Sequence, residues 1–153
     1  MNDGHQMEYS QITDLIYIGS DLCDGLVCPI HGKEFETMGI KGEINLEAER
    51  PETPPQNLNA YIWLPVADGM APNLDQLLIG SNTINEMVQL GERIYVHCKN
   101  GHGRSPTMVA AYFIRYQQMS VDRAVTLIKS QRPEIHLEDT QLQALEDFSF
   151  KWK

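Results

Sequence analysis

Five residues separate Cys98 from Arg104 in the run His97-Cys98-Lys99-Asn100-Gly101-His102-Gly103-Arg104-Ser105. A cysteine thiolate is a strong nucleophile, and a guanidinium is a planar fork that fits two oxygens of a tetrahedral anion. Gly101 and Gly103 allow φ > 0, so the backbone between them can curl and aim successive N–H groups at one centre. Pro106 suits the first turn of a helix, whose free N–H groups and positive dipole end would face that same centre. Such a field also stabilises a thiolate and lowers its pKa. Ser105 can donate a hydrogen bond to the sulfur. The loop describes an oxyanion cradle with a nucleophile at its floor.

Attack of a thiolate on a phosphoester requires a proton donor for the departing oxygen, and a carboxylic acid on a mobile loop supplies one. "LPVADGMAPNLDQL" (Leu64–Leu77) offers two acids. Asp68 follows an apolar run and sits beside Gly69, whereas Asp75 falls in the first turn of an expected helix as a solvated charge. Asp68 is the expected acid, later able to take a proton from the attacking water. Lys99 and His102 either line the mouth of the cradle as positive charge or are exposed loop residues; both readings stand.

The elements that must position these groups follow from periodicity. "LIYIG" (15–19), "GEINLEA" (42–48), "AYIWLPV" (60–66) and "RIYVHC" (93–98) are short, rich in β-formers and bounded by Gly, Pro or charge, as buried strands are. Leu74, Leu77, Leu78, Ile84 and Val88 recur at helical spacing, as do Met108, Val109, Tyr112 and Tyr116, then Val121, Ala124, Val125 and Ile128. This order predicts an α/β fold with a mostly parallel sheet of about four to five strands and helices on both faces. The loop from Cys98 then lies at the carboxyl edge of the sheet, where such folds place ligands. "ERPETPPQN" (49–57) reads as a proline-rich loop, and Trp63 and Tyr61 as core.

A chain of 153 residues with 42% hydrophobic content is expected to form a single domain over 1–153, with 1–8 as a flexible tail. It has no apolar run of membrane-spanning length, and its first residues resemble no secretory signal. Three cysteines, an odd count, suit a reducing compartment. A cytoplasmic, monomeric protein is expected. The net charge of −9 argues against general binding to nucleic acid or anionic membrane, so an anionic ligand needs a local device. Cys23 and Cys28, with His31 nearby, lack a second Cys/His pair to complete a zinc set, so structural thiols and no metal are expected.

The joint pattern resembles the Cys-x5-Arg signature of the protein tyrosine phosphatase superfamily, and the short chain looks like its compact dual-specificity branch. "ITDLIYIGS" (12–20) and "MSVDRAVTLIKSQRPEI" (119–135), a helix ending in Arg-Pro, are similar to segments of that branch. The resemblance covers about residues 9–150. It implies Cys98 as nucleophile, Arg104 as phosphoryl clamp, Asp68 as acid and then base, Ser105 as an aid to thiolate release, and no cofactor. It implies a phosphate-binding loop of His97, Lys99, Asn100, Gly101, His102 and Gly103, with His97 supporting the Cys98 backbone and sulfur. Asn100 departs from the small residue common in the family. The implied substrate is a phosphorylated protein (phosphotyrosine, with phosphoserine and phosphothreonine) or a small phosphoester. The alternatives are a non-protein phosphate (phosphoinositide, inositol phosphate or RNA 5′-phosphate), a phosphate-binding module without turnover, and a sulfur- or arsenic-handling cysteine enzyme.

Overall fold

The computed structural model describes residues 7–23 and 28–152. Along the chain these form β1 (Tyr9–Gln11), β2 (Ile16–Gly19), α1 (Pro29–Met38), β3 (Ile40–Glu47), β4 (Ala60–Val66), α2 (Leu74–Gln89), β5 (Arg93–His97), α3 (Arg104–Tyr116), α4 (Val121–Gln131) and α5 (Asp139–Trp152). They build a five-stranded sheet of order β1-β2-β5-β3-β4. β2, β5, β3 and β4 pair in parallel, and β1 alone is antiparallel, at the edge beside β2. This is the expected α/β sandwich. The strand β1 and the helix α1 were not anticipated by the periodicity.

Alternation along the central strands separates two cores. Ile16, Ile18, Ile94 and Val96 point to the face covered by the later helices, while Tyr17 and Tyr95 point to the other face and meet Phe35 of α1. In β3, Ile40 belongs to the α1 side and Ile44 to the opposite side, although their spacing alone would put them together. A register shift between Ile40 and Gly42 accounts for this, because one extra residue turns the chain over. Helices therefore lie on both faces.

α3 is the hub of the helical layer. Every side chain from Arg104 to Ile114 is buried, not merely the stripe that a 3.6-residue period picks out. It packs on α2, α4, α5 and the sheet, and the small Ala110 and Ala111 fit among close neighbours. A Cβ at Gly80 of α2 would collide with the Met108 side chain, so glycine sets that approach.

Two expectations need correction. Trp63 is 53% exposed and Tyr61 only half-buried; β4 is an edge strand whose α1-side face is left open, and the Trp63 indole N–H donates to the Glu47 carbonyl at 2.8 Å. Within the supposed tail of 1–8, residues 1–6 lie outside the described residues, but Met7 is buried in the α1-side cluster and Glu8 is bound to Arg132.

Candidate active site

β5 ends at His97 and α3 begins at Arg104, so the intervening loop sits at the carboxyl edge of the central strand. Its geometry is set by where the carbonyls go. His97 Nδ1–H donates to the Cys98 carbonyl at 3.0 Å, and the Asp21 N–H donates to Lys99 O at 2.9 Å. Arg132 gives its Nη2–H to Asn100 O and its Nε–H to Gly101 O, both at 2.9 Å. The His136 N–H reaches His102 O at 2.7 Å, and Thr107 binds Gly103 O through both N–H and hydroxyl. Each carbonyl from Cys98 to Gly103 is thus held by an outside partner, which leaves the N–H groups to turn inward.

The inward side holds the sulfur. Gly101 takes φ 73°, and its N–H donates to Cys98 Sγ at 3.3 Å. Ser105 Oγ lies 3.4 Å from the same sulfur. Burial alone would raise the Cys98 pKa, but the hydrogen bonds from Ser105 and Gly101 and the charge of Arg104 outweigh it, and the thiol is held below its ordinary value. Gly103 departs from expectation: its φ is −131°, so it needs no left-handed conformation. A side chain there would instead press on Gln141.

A lowered thiol pKa has a definite sign. The thiolate contributes stability above the unfolded-state value, and that contribution is lost as pH falls through the lowered folded value. Alkylation of Cys98 by iodoacetate is accordingly expected to show a midpoint below the free-cysteine value of about 8.5. Ser105→Ala should move that midpoint up, and a wild-type midpoint at or above the free value contradicts the geometry.

Arg104 is almost wholly buried and is oriented from behind. Glu49 accepts from Nη1 at 2.7 Å and from Nη2 at 2.9 Å, and Val66 O accepts from Nη1 at 2.7 Å. The hydrogen bond from Arg104 brings the Glu49 carboxyl down to about 2. A guanidinium has five N–H donors, so the Nε–H and a second Nη2–H remain as a fork for two phosphoryl oxygens. Asp68 stands at the rim, its side chain 83% exposed and its Oδ1 3.5 Å from Arg104 Nη2. Its loop is fastened by α5: Gln141 donates to Met70 O at 3.0 Å and Thr140 to Gly69 O at 3.3 Å. Asp75 stays in the exposed first turn of α2 as read.

Cys98, Arg104, Asp68, Lys99, Asn100, His102 and Gly103 all line one cleft of about 230 Å³, together with Gly69, His136, Glu138 and Gln141. His97 is not part of that lining. It is fully buried beneath the loop, and its Nε2 lies 2.8 Å from Glu43 and 2.9 Å from Glu52. Burial works against its charged form, yet the two carboxylates win and raise its pKa well above the ordinary range. Burial raises Glu43, while the bonds from His97 and Glu43 hold Glu52 low. His97 therefore supports the Cys98 backbone through its carbonyl rather than binding phosphate.

Glu49, Glu52, Arg132 and Gln141 were missed as site residues. Glu49 and Glu52 looked like charges in a proline-rich loop, and nothing local marks their long-range partners. Arg132 carried a signal, the Arg-Pro at the end of α4, whose role becomes evident only in its contacts with the loop. Arg132→Met is expected to destabilise the fold by roughly 3–5 kcal/mol, since it strips buried acceptors of their charged donor. Urea unfolding should show a lower midpoint at unchanged slope; an unaltered midpoint would mean that Arg132 does not brace the loop.

Comparison with known proteins agrees with this geometry. The family model "Dual specificity phosphatase, catalytic domain" matches residues 28–150. Phosphatidylglycerophosphate phosphatase PTPMT2 of Arabidopsis thaliana is 34% identical over 75% of this chain and 53% of its own length. Human phosphatidylglycerophosphatase and protein-tyrosine phosphatase 1 is 43% identical over 50% of this chain and 38% of its own. The chain thus spans about half or less of these relatives. The crystal structure of PTPMT1 in complex with PI(5)P superposes with a TM-score of 0.81 at 25% identity, covering 94% of this chain and 95% of that one. The cradle, the buried arginine and the family match lead to one assignment: the chain belongs to the dual-specificity phosphatase family of hydrolases.

Proposed function

We propose that the protein hydrolyses phosphomonoesters through a thiophosphate on Cys98. The observation that carries this is the loop whose carbonyls are all held outward around a sulfur with a lowered pKa. The Cys98 thiolate attacks phosphorus as the bond to the leaving oxygen breaks, and Asp68 gives that oxygen its proton. Arg104 and the inward N–H groups hold the equatorial oxygens, where charge is carried in the transition state. Water then attacks the phosphocysteine, its proton passes to Asp68, and the Ser105 hydroxyl stabilises the departing thiolate. Each step closes in atoms and charge without a metal or redox cofactor.

Asp68→Asn separates this acid from a mere rim charge. It should lower kcat by roughly 10²–10³-fold on an alkyl phosphate and far less on para-nitrophenyl phosphate, whose leaving group needs little protonation. Equal losses on both substrates would remove Asp68 from the acid role.

Two substrate classes share this chemistry, phosphoproteins and phosphorylated small or lipid headgroups. We favour the headgroup class. Lys99, His102 and His136 stand at the wall of the cleft of about 230 Å³ and outnumber its two acids, Asp68 and Glu138. In a chain of net charge −9 these form a local device for a second anionic group. The similarity to the two phosphatidylglycerophosphatases supports the same class. Turnover of dispersed phosphatidylglycerophosphate should exceed that of phosphotyrosine and phosphothreonine peptides by at least about tenfold in kcat/KM, a difference of about 1.4 kcal/mol. Preference for the peptides would select the phosphoprotein reading.

A further inference from the structure

Cys23, Cys28 and His31 take no part in the chemistry above, yet the fold brings them together. The two Sγ atoms and an imidazole nitrogen all lie within 4.8 Å of one another. Tetrahedral zinc with Zn–S of about 2.3 Å and Zn–N of about 2.0–2.1 Å places such ligands roughly 3.5–3.8 Å apart. The cluster is therefore within about an ångström of closing on an ion. Two thiolates and an imidazole are ligands that suit zinc and not magnesium or calcium.

The supports of the three ligands are independent of any ion. Cys28 is the N-cap of α1, Pro29 occupies its first turn, and His31 is buried on the helix that Phe35 anchors against Tyr95. Cys23 ends a segment tied down by Asp21 N–H on Lys99 O and by Arg50, which binds Asp21 and Leu22 O. The Cys23 N–H donates to His31 Nδ1 at 3.2 Å, which holds this edge of the ring against the Cys23 segment; an ion on that nitrogen would replace this hydrogen bond. Glu52 is close enough to His31 for their charges to interact, and its buried Oε1 has no hydrogen-bond partner. Carboxylates beside metal-bound histidines commonly orient the ring.

We propose that Cys23, Cys28 and His31 form a zinc site, two thiolates and one imidazole with water in the fourth position, which pins the 20–23 segment against the start of α1. That segment carries Asp21, the partner of Lys99 O, so the ion would stiffen one side of the phosphate loop. Binding releases the thiol protons and transfers no electrons. This inference does not depend on the substrate or on turnover.

The test is titration of the reduced, chelator-treated full chain with Co²⁺ and then Zn²⁺, following thiolate-to-cobalt charge-transfer absorption and its loss on zinc exchange. Wild type and Cys98→Ser should each take a single equivalent and gain thermal stability with zinc, while Cys23→Ser and Cys28→Ser should lose the absorption. Wild-type protein that gives no charge-transfer band overturns the site, whatever the variants do. Retention of the band in both cysteine variants, or its loss in Cys98→Ser, would put the ion elsewhere and overturn it too. So would zinc-inert reduced protein whose Cys23 and Cys28 are found by mass spectrometry to join as a disulfide in air.

Discussion

Cys98→Ser lowers kcat on para-nitrophenyl phosphate by roughly 10⁴–10⁶-fold, the scale seen when an enzyme loses its nucleophile, and leaves the fold intact. The hydroxyl nearly matches the thiol in size, so the buried site keeps its packing and its bonds to Ser105 and Gly101. What it loses is acidity. The fields that lower a thiol into the thiolate range cannot bring an alcohol there at neutral pH. Substrate should still bind, because Arg104 and the inward N–H groups are untouched. Steady-state rates with chelator present and equilibrium binding of the same phosphate ester check both halves. A serine variant that turns over within tenfold of wild type would remove Cys98 from the chemistry.

Arg104→Lys is expected to cost roughly 10²–10³-fold in kcat, the scale of losing one oxyanion-binding donor. Lysine keeps the charge but has no fork. In the native site Glu49 and Val66 O hold one side of the guanidinium and thereby fix the direction of the other. An ammonium satisfies Glu49 or the phosphoryl oxygens, not both in plane. The loss should fall chiefly on kcat, since equatorial oxygens spread most in the transition state. If KM alone rises, Arg104 holds ground state and transition state equally and is a binding residue.

The reaction centre was legible because its parts lie within one short segment. Cys98, the glycines, Arg104 and Ser105 are neighbours in sequence, and a strand before them and a helix after them are forced by local patterning. The braces were not legible, because each is a pairing across the chain. Arg132 reaches loop carbonyls more than two dozen residues away, and Glu49 meets Arg104 from the proline-rich loop. A carboxylate in such a loop is a solvated charge by every local rule, and only folding shows otherwise. The same holds for α1, whose low apolar periodicity hid a helix that is anchored by Phe35. Gly103 was misread for a related reason: glycine serves close approach as well as φ > 0, and sequence does not tell the two apart.

The covalent intermediate is the most direct test of the account. Wild-type protein mixed with excess substrate, quenched in acid within the first turnovers and weighed intact, should carry the added mass of a single phosphoryl group, mapped by peptide sequencing to Cys98 and absent in Cys98→Ser. Turnover without any such adduct in Asp68→Asn, where breakdown of the intermediate is slowed, or an adduct on another residue, would contradict it.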